Sequence, residues 1–194
     1  MTTIHIAAPG PSLTYDWLEP DMTVICINLA LLKAPRADYW CCIDKPRDLH
    51  KLCFESAERT GCTLLTKWKR VDHYKAKVPS MKVINVYKNI GDSWVFKLNM
   101  HGTSWSIFAA TAYATAVLGA TTVVYHGVDL SGVGYFDGLN PQETVDKSWK
   151  ARWASKELWP MYELWLASSQ NGVKLLGLPD RVKTKPKDWP GRKK

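Results

Sequence analysis

The chain lacks the short motifs by which many metal- and nucleotide-dependent enzymes are recognised. It contains no Cys-x-x-Cys pair, no Walker loop, no Gly-x-Gly-x-x-Gly turn and no Asp-x-Asp pair. We therefore expect neither a metal site nor a resident cofactor. The five cysteines stand at positions 26, 41, 42, 53 and 62. Three of them lie in apolar, strand-like runs, so we expect buried, reduced thiols and a cytoplasmic location.

Long apolar segments and acidic residues are also scarce. No apolar run reaches the roughly 18 residues that cross a membrane, and the N-terminus leads directly into a predicted strand. We therefore expect neither a membrane span nor a signal peptide. Lysine and arginine number 26 against 18 aspartates and glutamates, which gives a net charge of +8 and a pI near 9.2. Such a balance favours anionic partners, namely nucleotides, nucleic acid or acidic glycans.

Apolar residues make up 46% of the chain, which is enough for the core of one domain. Short apolar runs alternate with helical patterns, which predicts an α/β fold with a Rossmann-like, mostly parallel sheet and helices on both faces. The predicted strands span residues 3–7, 23–27, 39–43, 63–65, 82–87, 122–127 and 173–176. The predicted helices span 46–59, 67–74, 104–118 and 147–170, the last with a kink at Pro160.

We expect a nucleotide-binding domain over residues 1–178 and a basic, flexible tail over residues 179–194. A loop around residues 130–145 contains three glycines and has the length of a functional lid. Segment 89–99 fits either a hairpin or an irregular loop. A second basic stretch, residues 67–77, fits either a solvated helix face or a contact with nucleic acid.

Small and polar residues collect where the predicted strands end. In parallel sheets, ligands bind in the crevice outside the carboxyl ends of the strands. The candidate nucleotide-binding residues are Gly10, Ser12, Asn28, Asp44, Thr103, Ser104, Gly127 and Asp129. A phosphate would be held by the turn at residues 10–12 and by the N-terminus of the helix that Thr103 or Ser104 caps.

Structural roles explain several of these residues equally well. The turn at residues 10–13 fits a plain strand-to-helix connection, Asn28 fits an Asx turn, and Asp44 fits a helix N-cap. Two histidines are candidate general bases: His101, just before the Thr-Ser pair, and His126, just before Gly127. A histidine at the edge of the core is the alternative for His126.

The order of these motifs resembles the bacterial lipooligosaccharide sialyltransferases and their wider kin, which include motility-associated glycosyltransferase-like proteins and a pterin pyrophosphokinase. The resemblance spans roughly residues 4–178. It rests on the Gly-Pro-Ser-Leu turn at residues 10–13, Asn28, Asp38-Tyr39, Asp44, Thr103-Ser104, Gly127-Val-Asp129 and Asn171-Gly-Val-Lys174. In the family, the asparagine contacts the nucleotide and a Thr-Ser pair opens the helix over it. A loop tyrosine touches the phosphate in the sialyltransferases, and Tyr135 is the nearest match here.

The resemblance implies a glycosyltransferase-like enzyme that takes a nucleotide-activated sugar as its donor. We expect transfer without a metal, because the chain has no Asp-x-Asp pair. The sialyltransferases use a late histidine as general base, but residues 130–194 contain no histidine, so His101 or His126 would take that role. The basic surface favours an anionic acceptor, nucleic acid included.

Two other functions fit the same residues. One is a non-catalytic protein that binds a nucleotide or nucleic acid. The other is a metal-dependent pyrophosphoryl transferase, in which Asp44 and Asp129 would be the metal ligands. Dependence on divalent metal would distinguish the pyrophosphoryl transferase from the glycosyltransferase. Turnover of a donor would distinguish the glycosyltransferase from the non-catalytic binding protein.

Overall fold

The computed structural model describes residues 1–43, 48–95, 98, 106–130 and 158–187. Within these ranges, seven strands form a single parallel sheet in the order β5-β4-β3-β2-β1-β6-β7. The strands are β1 (Thr3–Ala7), β2 (Thr23–Ile27), β3 (Tyr39–Cys41), β4 (Thr63–Thr66), β5 (Val83–Asn85), β6 (Thr122–His126) and β7 (Lys174–Leu176). The α/β fold expected from the alternating pattern is confirmed.

Six α-helices and one 3-10 helix accompany the sheet in the described part of the chain. They are the 3-10 helix (Asn28–Lys33), α1 (Asp48–Thr60), α2 (Trp68–Lys77), α3 (Val86–Ile90), α4 (Ser106–Ala116), α5 (Leu158–Gln170) and α6 (Asp180–Lys183). None of the helices seen in these ranges combines the length and the apolar character that crossing a bilayer requires.

The two faces of the sheet carry separate cores because successive strand residues point to opposite sides. On one face, Ile6, Ile25 and Tyr125 pack with residues of α4 and α5. On the other face, Val24 and Cys26 pack with residues of the 3-10 helix, α1 and α2. Helices therefore cover both faces, as the sequence predicts.

Helix α4 lies close to the sheet because many of its buried side chains are small. The alanines at positions 109, 110, 112 and 114 are all buried, and the helix contacts β1, β2 and β3. Two of the strands it covers, β1 and β2, are rich in β-branched and apolar residues, which is typical of strands buried on both faces. This packing fixes where α4 begins, above the carboxyl ends of the neighbouring strands.

The predicted strand at residues 82–87 is wrong in its second half. Strand β5 ends at Asn85, and Val86 begins helix α3. Val86 and Ile90 lie one helical turn apart and are both buried in the core beside α4, so core packing prevails over the strand propensity of valine. Segment 89–99 accordingly starts as the end of a helix followed by a turn at Gly91, and not as a hairpin.

Other element boundaries differ by a few residues. Strand β3 stops at Cys41, where residues 39–43 were predicted, and α4 spans Ser106–Ala116 within the predicted 104–118. The predicted helix 147–170 is described from Leu158 onward. Its earlier part, against which a kink at Pro160 would form, lies outside the described residues.

The packed part of the chain continues beyond residue 178, where the sequence suggests that the tail begins. Helix α6 spans Asp180–Lys183, and its Val182 side chain is fully buried. Lys183 pairs with Asp180 at 2.7 Å on the surface. Residues 188–194 of the tail and residues 131–145 of the expected lid lie outside the described residues.

A buried pair of hydroxyls links α4 to β6 and offers a test of this packing. The Tyr125 hydroxyl lies 2.7 Å from Thr111 Oγ1, whose own proton is donated to the Ile107 carbonyl at 2.7 Å. We expect Tyr125→Phe to lower the free energy of unfolding by about 1 kcal/mol, because one buried hydrogen bond is lost. Thr111→Val should cost more, since it leaves the Tyr125 hydroxyl buried without its acceptor. Urea unfolding measures both, and equal stability of all three proteins would contradict the assignment.

Candidate functional site

The candidate site lies where the strand order changes direction. Strands β2 to β5 follow one another on one side of β1, and β6 and β7 lie on the other side. Such a switch point leaves a crevice at the carboxyl ends of the strands. A cleft of about 350 Å³ opens there, lined by the last residues of β6 and by residues that follow β1, β6 and β7. Its size is in the range of small-molecule sites.

The turn after β1 is joined to the segment that follows β6 by two hydrogen bonds. The Gly10 amide donates to the Gly127 carbonyl at 2.9 Å, and the Ser12 amide donates to Asp129 Oδ2 at 3.0 Å. A Cβ atom on Gly10 would lie 2.1 Å from that same carboxylate oxygen and 2.2 Å from the Gly127 carbonyl oxygen. Only glycine therefore allows the two chain segments to approach this closely.

The amides of this turn are already hydrogen-bonded within the protein. The Leu13 amide donates to the Gly10 carbonyl at 3.0 Å, so the amides of residues 10, 12 and 13 all have acceptors within the protein. The carboxylate of Asp129 lies where a phosphate would have to receive the Ser12 amide, and two anions repel each other there. In this structure the turn is built around the carboxylate of Asp129.

The end of β6 has a backbone conformation that requires glycine. Gly127 has φ +69°, and a Cβ there would lie 2.2 Å from the Ala8 carbonyl oxygen. The Ala8 amide in turn donates to the His126 carbonyl at 2.8 Å. On the far side, the Arg181 guanidinium of α6 donates to the Asp129 carbonyl. Asp129 is therefore held at its carbonyl by Arg181 and at its carboxylate by the Ser12 amide.

His126, which contacts His5, and the indole ring of Trp17 form one wall of the site. His5 Nδ1 lies 3.0 Å from His126 Nε2. The Trp17 ring stacks on His126 with 3.5 Å between centroids and 8° between planes, and it lies parallel to His5 at 5.4 Å. Strand register explains the pair: Ala7 faces His126, so His5 lies two residues away on the same side of the sheet.

Both histidines are neutral at neutral pH. Burial, followed by the nearby His5 ring, lowers the pKa of His126 to about 4. Burial also lowers the pKa of His5. The short contact between the two rings therefore holds a single proton. When that proton is on His126 Nε2, His126 Nδ1 has a lone pair and is able to accept a proton from a ligand.

Asn28 lies at the end of the next strand and outside the cleft. It adopts φ +47°, a left-handed conformation that asparagine tolerates. Its Oδ1 accepts a hydrogen bond from Ser106 Oγ at 3.0 Å, and its carbonyl accepts one from Trp40 Nε1 at 2.9 Å. The Ile43 amide also donates to Ser106 Oγ, at 3.4 Å. Asn28 thus connects the first residue of α4 to the ends of β2 and β3.

The structure brings together Gly10, Ser12, His126, Gly127 and Asp129 of the predicted site, and it separates Asn28 from them. Five predicted residues lie outside the described residues, namely Asp44, His101, Thr103, Ser104 and Tyr135.

Sequence reasoning missed His5, Trp17 and Arg181. A polar residue within the apolar run Thr3–Ala7 was the available signal for His5. Nothing in the pattern indicated Trp17, because its position depends on how the loop between β1 and β2 folds back over β6.

The cysteines do not belong to the site. All five are buried and free, as the sequence predicts. Burial raises the pKa of Cys26 and of Cys53 to about 12, which removes their reactivity as thiolates at neutral pH. Within the described ranges, no three His, Cys, Asp or Glu side chains are grouped so that they could hold a metal ion.

The chain matches no known family model, no curated protein and no solved structure. A function therefore has to be inferred from the residues of the cleft itself.

The histidine pair predicts a stability that falls in weak acid. The pKa of histidine in the unfolded chain is near 6.5, whereas the pKa of His126 in the folded protein is about 4, so the unfolded chain binds the proton first as the pH falls. Stability is therefore lost as the pH falls through this window. We expect a loss of about 1–2 kcal/mol, reduced by solvent at the half-buried rings. Urea unfolding across the window should show a smaller fall for His126→Gln and an unchanged fall for the exposed control His73→Gln. Equal falls in wild type and His126→Gln would contradict the prediction.

The close approach at Gly10 gives a second prediction. We expect Gly10→Ala to destabilise the protein by about 1–3 kcal/mol, because the methyl group overlaps a backbone carbonyl that has no room to move. Pro11→Ala, in the exposed part of the same turn, is the matched control and should change stability by less than about 1 kcal/mol. Thermal unfolding compares the two. A Gly10→Ala protein as stable as the control would exclude the tight junction described above.

Proposed function

We propose that this protein is a glycosyltransferase-like enzyme that binds a nucleotide-activated sugar at the switch-point cleft and transfers the sugar to an acceptor hydroxyl. The observation that carries the proposal is the meeting of a carboxylate, Asp129, and a neutral imidazole, His126, in one cleft at the switch point of a parallel sheet. Sheets of this kind bind nucleotides at that point.

The groups in the cleft suit a ring that carries several hydroxyls. Asp129 offers carboxylate oxygens as acceptors, and the side chains of Ser12 and Thr14 offer hydroxyls. Trp17 adds an aromatic wall. Because Asp129 would repel a phosphate, the proposal puts the sugar or the ribose in the cleft and the phosphate elsewhere.

The start of α4 is the proposed location of the phosphate. Ser106, the first residue of α4, is hydrogen-bonded to Asn28 above the ends of β2 and β3. Helix N-termini stabilise anions through free amides and the helix dipole. Parallel strands lie about 4.8 Å apart, so Asn28 is about two strand spacings from the end of β6. That separation suits one ligand that reaches both places.

In the proposed reaction, the bond between the anomeric carbon and the donor phosphate oxygen breaks, and its electron pair leaves with the phosphate. The acceptor oxygen bonds to the same carbon, and its proton passes to Nδ1 of His126. His5 accepts a hydrogen bond from His126 Nε2 and spreads the resulting charge. A base with a pKa of about 4 is sufficient here, because the attacking hydroxyl becomes acidic as it bonds to a cationic carbon.

The proposal predicts metal-independent nucleotide binding that depends on Asp129. In a thermal-shift panel of nucleoside mono- and diphosphates and nucleotide sugars, with magnesium or with chelator, a ligand at about 100 times its Kd should stabilise the protein by about 2.7 kcal/mol. Asp129→Asn keeps an acceptor for the Ser12 amide and removes the charge, so we expect roughly 10- to 100-fold weaker binding. Asp21→Asn, an exposed change just before β2, is the control.

Turnover is measured by release of the free nucleotide, and His126→Gln should abolish it while nucleotide binding persists. The acid limb of kcat/KM should lie well below pH 6.5, because the pKa of His126 is low. A shift that requires magnesium would favour the pyrophosphoryl transferase, and binding without turnover would favour a non-catalytic nucleotide-binding protein. Absence of any shift would overturn the proposal.

A further inference from the structure

We propose that helix α2 and its flanking residues form a binding surface for single-stranded nucleic acid, with Trp68 as the residue on which a base stacks. This basic surface comprises residues 67–77 together with Lys82, and it is separate from the switch-point cleft. The proposal does not depend on the proposed function.

The charged residues of this surface are almost all positive. Its cationic residues are Lys67, Lys69, Arg70, Lys75, Lys77 and Lys82, and its one acidic residue is Asp72. None of the six cations forms an ion pair with a carboxylate in the part of the chain that the structure describes. Unpaired cations clustered on one element attract a polyanion and release its counterions on binding.

Trp68 is exposed at the start of this helix. Its side chain is 64% accessible, the largest exposure of any aromatic residue among those the structure describes. The Lys69 ammonium lies over the ring, 5.1 Å from its centre. An open indole beside cations is the pairing by which proteins stack bases while they neutralise phosphates.

Packing of the helix does not require Trp68. Helix α2 is anchored by Tyr74, which is fully buried and meets the Trp40 ring edge-on at 5.7 Å. Val78, just after the helix, is also fully buried. The indole of Trp68 therefore contributes little to the core, and its place on the surface lacks a structural explanation.

The sequence of α2 also works against the stability of its own N-terminus. The N-cap residue is Lys67, which makes no capping hydrogen bond through its side chain, and the first turn contains no acidic residue. Lys69 and Arg70 put positive charge at the positive end of the helix dipole, which is unfavourable. Local choices that cost stability are typical of positions kept for binding.

A single strand fits this surface better than other polyanions do. Ten residues of helix extend about 15 Å, the length of about four stacked nucleotides at 3.4 Å each. A duplex keeps its bases inside the stack and offers none of them to Trp68, whereas a single strand has bases free to stack on the indole while its phosphates meet the cations.

The test is fluorescence anisotropy of the full chain with a labelled deoxythymidine strand of about 12 nucleotides. Affinity should fall as salt rises from about 50 to 200 mM, and Lys69→Gln should reduce the salt slope by about 0.7. We expect Trp68→Ala to weaken binding roughly 5- to 100-fold, and Trp68→Phe to retain most of it. Leu52→Ala, at another exposed apolar side chain, and Lys174→Gln, on β7, are controls that should bind like wild type.

Circular dichroism melts verify that Trp68→Ala folds, which its exposure leads us to expect. Loss of affinity in Trp68→Ala, with binding kept in Trp68→Phe and both controls, would support the surface. No binding by wild type, or equal binding by Trp68→Ala, would overturn the proposal. So would competition by duplex DNA or heparin as effective as that by the single strand, since it would indicate an unspecific polyanion surface.

Discussion

The junction between β1 and β6 is the constraint on which the rest of the site depends. Parallel strands leave their carboxyl ends open, and here that opening is closed on one side by backbone contacts at Gly10 and Gly127. The carboxylate of Asp129 completes the junction through the Ser12 amide. Three features depend on this one close approach, because each needs the two chain segments at a fixed separation. They are the cleft itself, the position of His126 in its lining and the contact between Arg181 of α6 and Asp129.

Much of the fold was predictable, because a strand buried in a parallel sheet is a short apolar run. Strands β1 and β2 match the sequence prediction to the residue. Strand β5 does not, since the same valine-rich run supplies both a strand and the buried side of helix α3. Local pattern cannot separate these two, because the choice depends on the core that receives Val86 and Ile90.

The site was predictable in position and less so in detail. Polar residues at the ends of adjacent parallel strands must meet, which is why Ser12 and Asp129 could be grouped from sequence. The hydrogen bond between them could not be foreseen, because the Ser12 amide suits either a carboxylate or a phosphate. The distance of 3.0 Å between Ser12 N and Asp129 Oδ2 shows that it donates to the carboxylate here. The contact between His5 and His126 depends on strand register, and the position of Trp17 depends on a loop without regular structure.

The order of the strands has a consequence for folding during synthesis on the ribosome. Strand β1 is made first, yet one of its two neighbours, β6, is made after four other strands. The residues that close the cleft, Ser12 and Asp129, are 117 positions apart. A nascent chain that has released only β1 to β5 therefore carries one unsatisfied edge of β1 and half a cleft. Binding competence arrives late in synthesis, when β6 takes its place in the sheet.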